Sequence, residues 1–280
     1  MKFTVEDFRK WPQKKVTLLG MSGVGKTYLS AMLRRHHWYH YSGDYRIGTR
    51  YLDEDILDLI KAQAMQVPFL SDLLRNDWIY IRNNIKVSDL GPVLSFVGKL
   101  GDPERGGVPL EDFQRRQAQY RDAEIAAMRD VPAFIDKAQQ IYGYQHFVND
   151  VGGSLCELDE SGVIELLCEH TLMLYIQVTD QEEERKLIAR AQSDPKPLYY
   201  RPAFLLEQLV VYLAEQGLNY AAQMDPDEFT RWVFPRLFHS RVPRYEEIAR
   251  QGYTVTSREV AGVRDQQDFL DLLEVAIGRA

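Results

Sequence analysis

VTLLGMSGVGKTYLSAMLRR, residues 16–35, changes character twice. Its first residues, with Lys15 before them and Gly20 after, form a short β-branched and leucine run of the kind buried on both faces of a parallel sheet. From Lys26 onward the apolar residues take up helical spacing. The turn between carries Gly20, Gly23 and Gly25. Glycine there lets successive backbone N–H groups aim inward, and the start of the following helix adds partial positive charge at the same point. The stretch therefore predicts a strand, an anion-cradling loop and a helix, in that order.

Gly20-Met21-Ser22-Gly23-Val24-Gly25-Lys26-Thr27 satisfies the pattern G-x-x-x-x-G-K-[ST], and it sits in the strand-before, helix-after context that gives this pattern meaning. Gly20, Ser22, Gly23, Val24, Gly25, Lys26, Thr27 and Tyr28 are the expected nucleotide-binding residues. Lys26 is expected at the β and γ phosphates, and Thr27 on Mg²⁺.

The 280 residues can bury a large core and are expected to form one domain, 1–280, with insertions. With 34 basic and 41 acidic residues, the net charge of −7 argues against a nucleic-acid binder, which usually carries a concentrated basic excess. Cys156 and Cys168 are the only cysteines, so neither a disulfide framework nor a zinc ribbon is expected, and a reducing cytoplasmic setting fits. No apolar run approaches the roughly 18 residues of a membrane span, and the charged opening MKFTVEDFRKWPQKK has no apolar leader.

Further strands are expected at HWYHYSGDYR, ending on Ser42-Gly43-Asp44; at YQHFVND, ending on Asp150; at TLMLYIQVTD, residues 171–180; and at GYTVTSREVAGV with its outgoing loop. Helical spacing recurs in YLDEDILDLIKAQAM. It continues from about 68 to 141 with a break at LGDPERGGVP, in QEEERKLIARAQ, from 203 to about 250, and in DQQDFLDLLEVAI. Three prolines make DPKPLYYRP, residues 194–202, a stiff connection. Asp150, at a strand end, is the expected carboxylate partner of Mg²⁺, with Asp180 as the runner-up.

The loop and its flanks resemble the P-loop nucleoside triphosphatases over residues 15–35, and the wider layout resembles their nucleoside monophosphate kinase branch, which includes adenylate and shikimate kinases. That resemblance implies a three-layer α/β fold, with a mainly parallel five-stranded sheet of order 2-3-1-4-5 and helical insertions at 52–141 and 203–250. It also implies a lid-like segment at 181–202. Its expected activity is transfer of the γ-phosphoryl group of MgATP to an acceptor, a small molecule or a protein. YHYSGDYR resembles the branch's T-G-D-x-x-R acceptor segment, which marks Asp44 as catalytic beside Lys26 and Asp150. TDQEEERKLIARAQSDPKPLYYR resembles an arginine-bearing lid and brings in Arg185 and Arg190, the latter as a catalytic cation. Ser257 to Gly262 would then flank the base.

One departure stands out. The acceptor-binding arginine that follows the third-strand aspartate in adenylate kinase is missing from Asp150-Val151-Gly152-Gly153-Ser154-Leu155-Cys156-Glu157, which leaves Asp44 or Glu157 to orient an acceptor hydroxyl or phosphate. Arg115, Arg116 and Arg121 are alternative anion contacts, or simply a solvated helix face. Asp150-Val151-Gly152-Gly153 also fits D-x-x-G, which supports the alternative of an ATPase or GTPase-like switch acting on a protein partner, although VTDQ lacks the guanine-reading N-K-x-D. His36 and His40 could share a helical face as metal ligands at i,i+4, but they are expected to line the helix end and the entry to strand two beside Trp38 and Tyr39.

Overall fold

The structure is a computed structural model that describes residues 2–280. Its centre is one sheet of β1 (Lys15–Leu19), β2 (Trp38–Ser42), β3 (His146–Asp150), β4 (Leu172–Gln177) and β5 (Tyr253–Thr256). The spatial order is β2-β3-β1-β4-β5, and every pairing is parallel. The sheet is thus wholly parallel, and helices cover both faces. Val16, Leu18, Leu19, Leu172, Leu174 and Ile176 are buried, as continuous apolar strands in a covered parallel sheet require. Ser42 pairs with Asp150, and Asp150 with Leu18. This register brings the exits of β1, β2 and β3 to one edge, where chemistry collects in such sheets.

In chain order the helices are α1 (Val5–Lys10), α2 (Lys26–Arg34), α3 (Gly43–Arg46), α4 (Asp53–Ala64), α5 (Pro68–Arg75), α6 (Gly91–Val97), α7 (Leu110–Arg129) and α8 (Val131–Gln140). After β3 come α9 (Ser161–His170), α10 (Gln181–Ser193), α11 (Pro202–Gln216), α12 (Pro226–Ala249), α13 (Ser257–Ala261) and α14 (Gln266–Gly278). Two expected boundaries move. Strand β2 stops at Ser42, whose hydroxyl accepts from the Tyr45 N–H and caps α3, so Asp44 lies in a helical turn and not at a strand end. The outgoing segment after β5 is helical as well, because Thr256 and Glu259 form a reciprocal capping box. The helical stretch expected from 68 also breaks at 76–90, which is irregular.

The large apolar core wraps the sheet. A second cluster, including Phe113, Tyr200, Phe204, Phe229 and Leu237, joins α7 to α11 and α12. Helix α12 continues through Pro235, which has no N–H to offer the Arg231 carbonyl. Gln192 of α10 fills the gap, donating its Nε2 to that carbonyl at 3.2 Å, while Arg231 Nε donates back to the Gln192 carbonyl at 2.9 Å. The proline thereby creates an attachment point for the end of α10. The other end of α10 is held against α13 by an Asp180–Arg258 ion pair and by Ser257 Oγ donating to Glu183 Oε2 at 2.5 Å.

Candidate active site

Gly20 and Gly23 have φ of +140° and +92°, in the region that L side chains avoid. Space at Gly20 forbids a side chain as well, because a Cβ there would stand 2.7 Å from the Ile176 carbonyl oxygen; one on Gly23 would be tight, 3.0 Å from Leu187 Cδ2. The loop is therefore held against β4 on one side and lies under α10 on the other. Lys26 is buried, and its Nζ donates to the carbonyls of Gly20 at 2.6 Å and Met21 at 3.0 Å. Burial lowers its pKa, and the carboxylates of Asp150 and Asp44 work in the opposite direction.

A cavity of about 470 Å³ opens from the loop. Lys26, Thr27, Asp44, Asp150, Arg190, Lys196, Leu198 and Phe234 are among the residues that line it. A second cavity of about 500 Å³ begins beyond Gly23 and Gly25, bounded by Val24, Tyr28, Lys186, Leu187, Val260 and Ala261. Gly23, Gly25 and Tyr28 of the loop and its helix, and Leu187 and Arg190 of α10, border both cavities.

Asp44, Asp150, Lys26, Thr27 and Arg190, far apart in sequence, thus meet at one cavity. Arg185 and Gly262 border neither cavity. Arg185 is exposed on α10, and the residues that do face inward, Glu183, Lys186, Leu187 and Arg190, follow i, i+3, i+4, i+7 spacing. That phase was available in the sequence as a guide to the inward face. Asp180 caps α10 and pairs with Arg258, away from the loop. Glu157 is buried against Arg241 at 2.8 Å and Arg201 at 3.5 Å, so it does not border the cavity. Arg115, Arg116 and Arg121 are engaged by Asp112, the Phe96 carbonyl and the Leu158 carbonyl respectively. Arg46 is held by Asp130 at 2.6 Å. His36 lies in a turn beyond α2, while His40 lies in β2 with Nε2 3.7 Å from Asp150 Oδ2, so the two do not share a helix face. No group of three or more metal-ligating side chains was found among the described residues.

Two buried residues, Arg241 and Glu124, and the half-buried Tyr120 carry no signal of their role in the sequence. Arg241 of α12 donates to Glu157 and to the Tyr199 carbonyl, each at 2.8 Å. Glu124 of α7 is fully buried and accepts from Ser154 Oγ at 2.5 Å. Tyr120, one turn earlier, donates to Asp44 Oδ1 at 3.3 Å. Burial, then the like charge of Asp150, pushes the Asp44 carboxyl up to about 6. Burial pushes Glu124 up to about 8; the Ser154 hydrogen bond opposes this, and Asp44 adds to it.

The Glu124 shift carries a sign for stability. The folded chain keeps a proton that the unfolded chain, near the ordinary 4.5, releases. Its contribution is full below about pH 4.5 and is lost as pH rises to about 8. Chemical denaturation should show native stability falling across this window by on the order of 2–4 kcal/mol more than in Glu124→Gln. An equal decline in both proteins would contradict the burial argument.

The residues fit a nucleoside triphosphate and Mg²⁺. The loop is a cradle that Cβ atoms would fill, and Thr27 and Asp150 offer the hard oxygen donors that Mg²⁺ prefers. No protein-family model matches the chain, and neither does any curated protein sequence. Among solved structures, the chain is similar to the shikimate kinase of Bacteroides thetaiotaomicron, at 16% identity and a TM-score of 0.38 over 95% of each chain. It is also similar to the Acinetobacter baumannii shikimate kinase in complex with shikimate, at 14% identity and a TM-score of 0.40, over 96% of this chain and 93% of that one. The parallel sheet of order β2-β3-β1-β4-β5, with a glycine loop leaving its central strand, has the strand order that the resemblance to the nucleoside monophosphate kinase branch implies.

Proposed function

We propose that the protein is a phosphotransferase that moves the γ-phosphoryl group of MgATP to a small acceptor. The observation that carries this reading is the meeting of Lys26, Asp44, Asp150 and Arg190 around one cavity. A hydrolase needs a place for water; this cavity extends past Asp44 to Leu198, Thr230 and Phe234, with room and apolar surface for an organic acceptor.

The triphosphate lies along Gly20 to Thr27, with Lys26 turning from the loop carbonyls to the β and γ oxygens. The base lies between Val24, Tyr28 and Val260, and Arg190 meets the charge that spreads over the transferring group. Thr27 and Asp150 hold Mg²⁺, directly or through water, which when bound neutralises phosphate oxygens and orients them. Asp44 accepts the proton of the acceptor hydroxyl as that oxygen bonds to the γ phosphorus. The bond from the γ phosphorus to the β,γ-bridging oxygen breaks, and ADP leaves. A carboxyl titrating near 6 is ionised at neutral pH and available for this role.

The second reading, a switch or ATPase acting on a protein, draws on Gly153, whose Cβ would lie 3.3 Å from the Ser22 nitrogen and so close to the loop. Labelled transfer separates the two. With γ-labelled ATP and Mg²⁺, label is expected on a small molecule, with kcat/KM rising as pH increases through about 6. Asp44→Asn is expected to lower kcat by about 10²–10⁴-fold. Label appearing only as inorganic phosphate, or an Asp44→Asn protein with native rates, would count against the proposal.

A further inference from the structure

We infer that His40 is a positioning residue for the metal-binding carboxylate: its Nε2–H donates to Asp150 Oδ2 and thereby leaves Oδ1 of Asp150 to Mg²⁺. This rests on the reading of the loop as a MgATP site and adds to it the residue that orients Asp150.

The strands put both side chains on one face of the sheet. Ser42 of β2 is the partner of Asp150 on β3, and His40 lies two residues before Ser42. Neighbours in register, and residues two apart along a strand, share a face, so the imidazole lies diagonally across from the carboxylate. The His40 side chain is 5% exposed and that of Asp150 9%, and Nε2 stands 3.7 Å from Oδ2.

Each of the two groups lacks a partner. His40 Nε2 is enclosed and makes no hydrogen bond. Among the described residues, the approach of His40 is the one ion-pair contact of the Asp150 carboxylate. Lys26 gives its ammonium to the Gly20 and Met21 carbonyls instead. A buried donor without an acceptor and a buried carboxylate without a donor are both costly. From 3.7 Å, a shift of under about 1 Å makes one hydrogen bond that satisfies both. A neutral imidazole has a single N–H, and beside a carboxylate that N–H belongs on Nε2.

A carboxylate that holds a metal through one oxygen is ordinarily fixed by a hydrogen bond to the other. Oδ2 faces His40, and Asp150 lines the cavity at the loop. His40 borders neither cavity at the loop; it lines a separate one of about 260 Å³ with Tyr39, Tyr41 and Arg46. Its influence on the metal site therefore passes through Asp150 alone.

The test uses the full-length chain and isothermal titration with the β,γ-imido analogue of ATP, with and without Mg²⁺. The readout is the ratio of the two affinities. His40→Leu fills the space without a donor, whereas His40→Gln presents an amide N–H near the position of Nε2. Native chain is expected to bind the analogue more tightly with Mg²⁺. His40→Leu is expected to lose about 10–100-fold of that enhancement, with metal-free affinity unchanged, and His40→Gln to keep most of it. Long-range ¹H–¹⁵N NMR of the native chain at neutral pH is expected to show the His40 proton on Nε2, and this measurement serves if the variants do not fold. Native Mg²⁺ enhancement in a folded His40→Leu protein, equal loss with and without Mg²⁺, a glutamine variant as impaired as the leucine one, or a proton on Nδ1 overturns the inference and leaves the MgATP site standing. A native chain that does not bind the analogue, or binds it equally with and without Mg²⁺, overturns both.

Discussion

Lys26→Ala is expected to reduce γ-phosphoryl transfer by on the order of 10²–10³-fold or more, while circular dichroism and the melting temperature change little. The ammonium is buried at the mouth of the loop and held by the Gly20 and Met21 carbonyls, with Asp44 and Asp150 as its nearest opposite charges. In the proposed reaction it is the charge nearest the phosphoryl oxygens. Burial disfavours its charged form, so losing the side chain removes a desolvated cation along with two hydrogen bonds. The fold does not depend on it, because β1 and α2 are anchored by Leu18, Leu19, Leu29 and Leu33 in the core. Lys26→Arg is expected to lose activity too, since a planar fork does not replace a point charge in so confined a place. A Lys26→Ala protein that transfers phosphate at the native rate would remove the loop from the mechanism.

Arg241→Ala is expected to cost about 3–5 kcal/mol of stability, seen as a fall in melting temperature of roughly 6–20 °C. Glu157 is 1% exposed and Arg241 3% exposed, so truncating the arginine leaves a buried carboxylate with only the longer approach of Arg201. The same guanidinium also ties the Tyr199 carbonyl, so α12, the loop after β3 and the proline-rich connection all lose one shared anchor. Arg201 places the expected loss toward the lower end of the range. The double variant Arg241→Met with Glu157→Leu should recover most of it, because no charge then remains buried. If Arg241→Ala melts within about 2 °C of the native protein, the pair is not structural in the way described.

Much of the architecture was legible because it rests on local signals. The glycine spacing from Gly20 to Gly25, the apolar runs of β1 and β4 and the aspartate closing β3 each announce an element within a few residues. The sheet order followed from resemblance and agrees with the observed pairing. Two capping signals were passed over: Ser42 turns the expected strand end into α3, and the Thr256 to Glu259 box turns an expected loop into α13. Both were readable, since a capping residue competes with strand continuation wherever its side chain reaches the N–H two or three residues ahead.

Arg241, Glu124 and Tyr120 were beyond such reading. Each is a polar residue on a helix, where solvation is the ordinary explanation, and each is drawn inward, Arg241 and Glu124 fully and Tyr120 in part, toward a partner far away in sequence: Glu157, Ser154 and Asp44. The arginine missing after Asp150 has its nearest counterpart in Arg241, from a helix about 90 residues later, and Glu157 has already neutralised it.

Isothermal titration of the native chain and Lys26→Ala with MgATP tests the central claim most directly. The account predicts one site on the native chain, with affinity lost by about tenfold or more in the variant. Equal affinity in the two proteins, or no binding to the native chain, would contradict it.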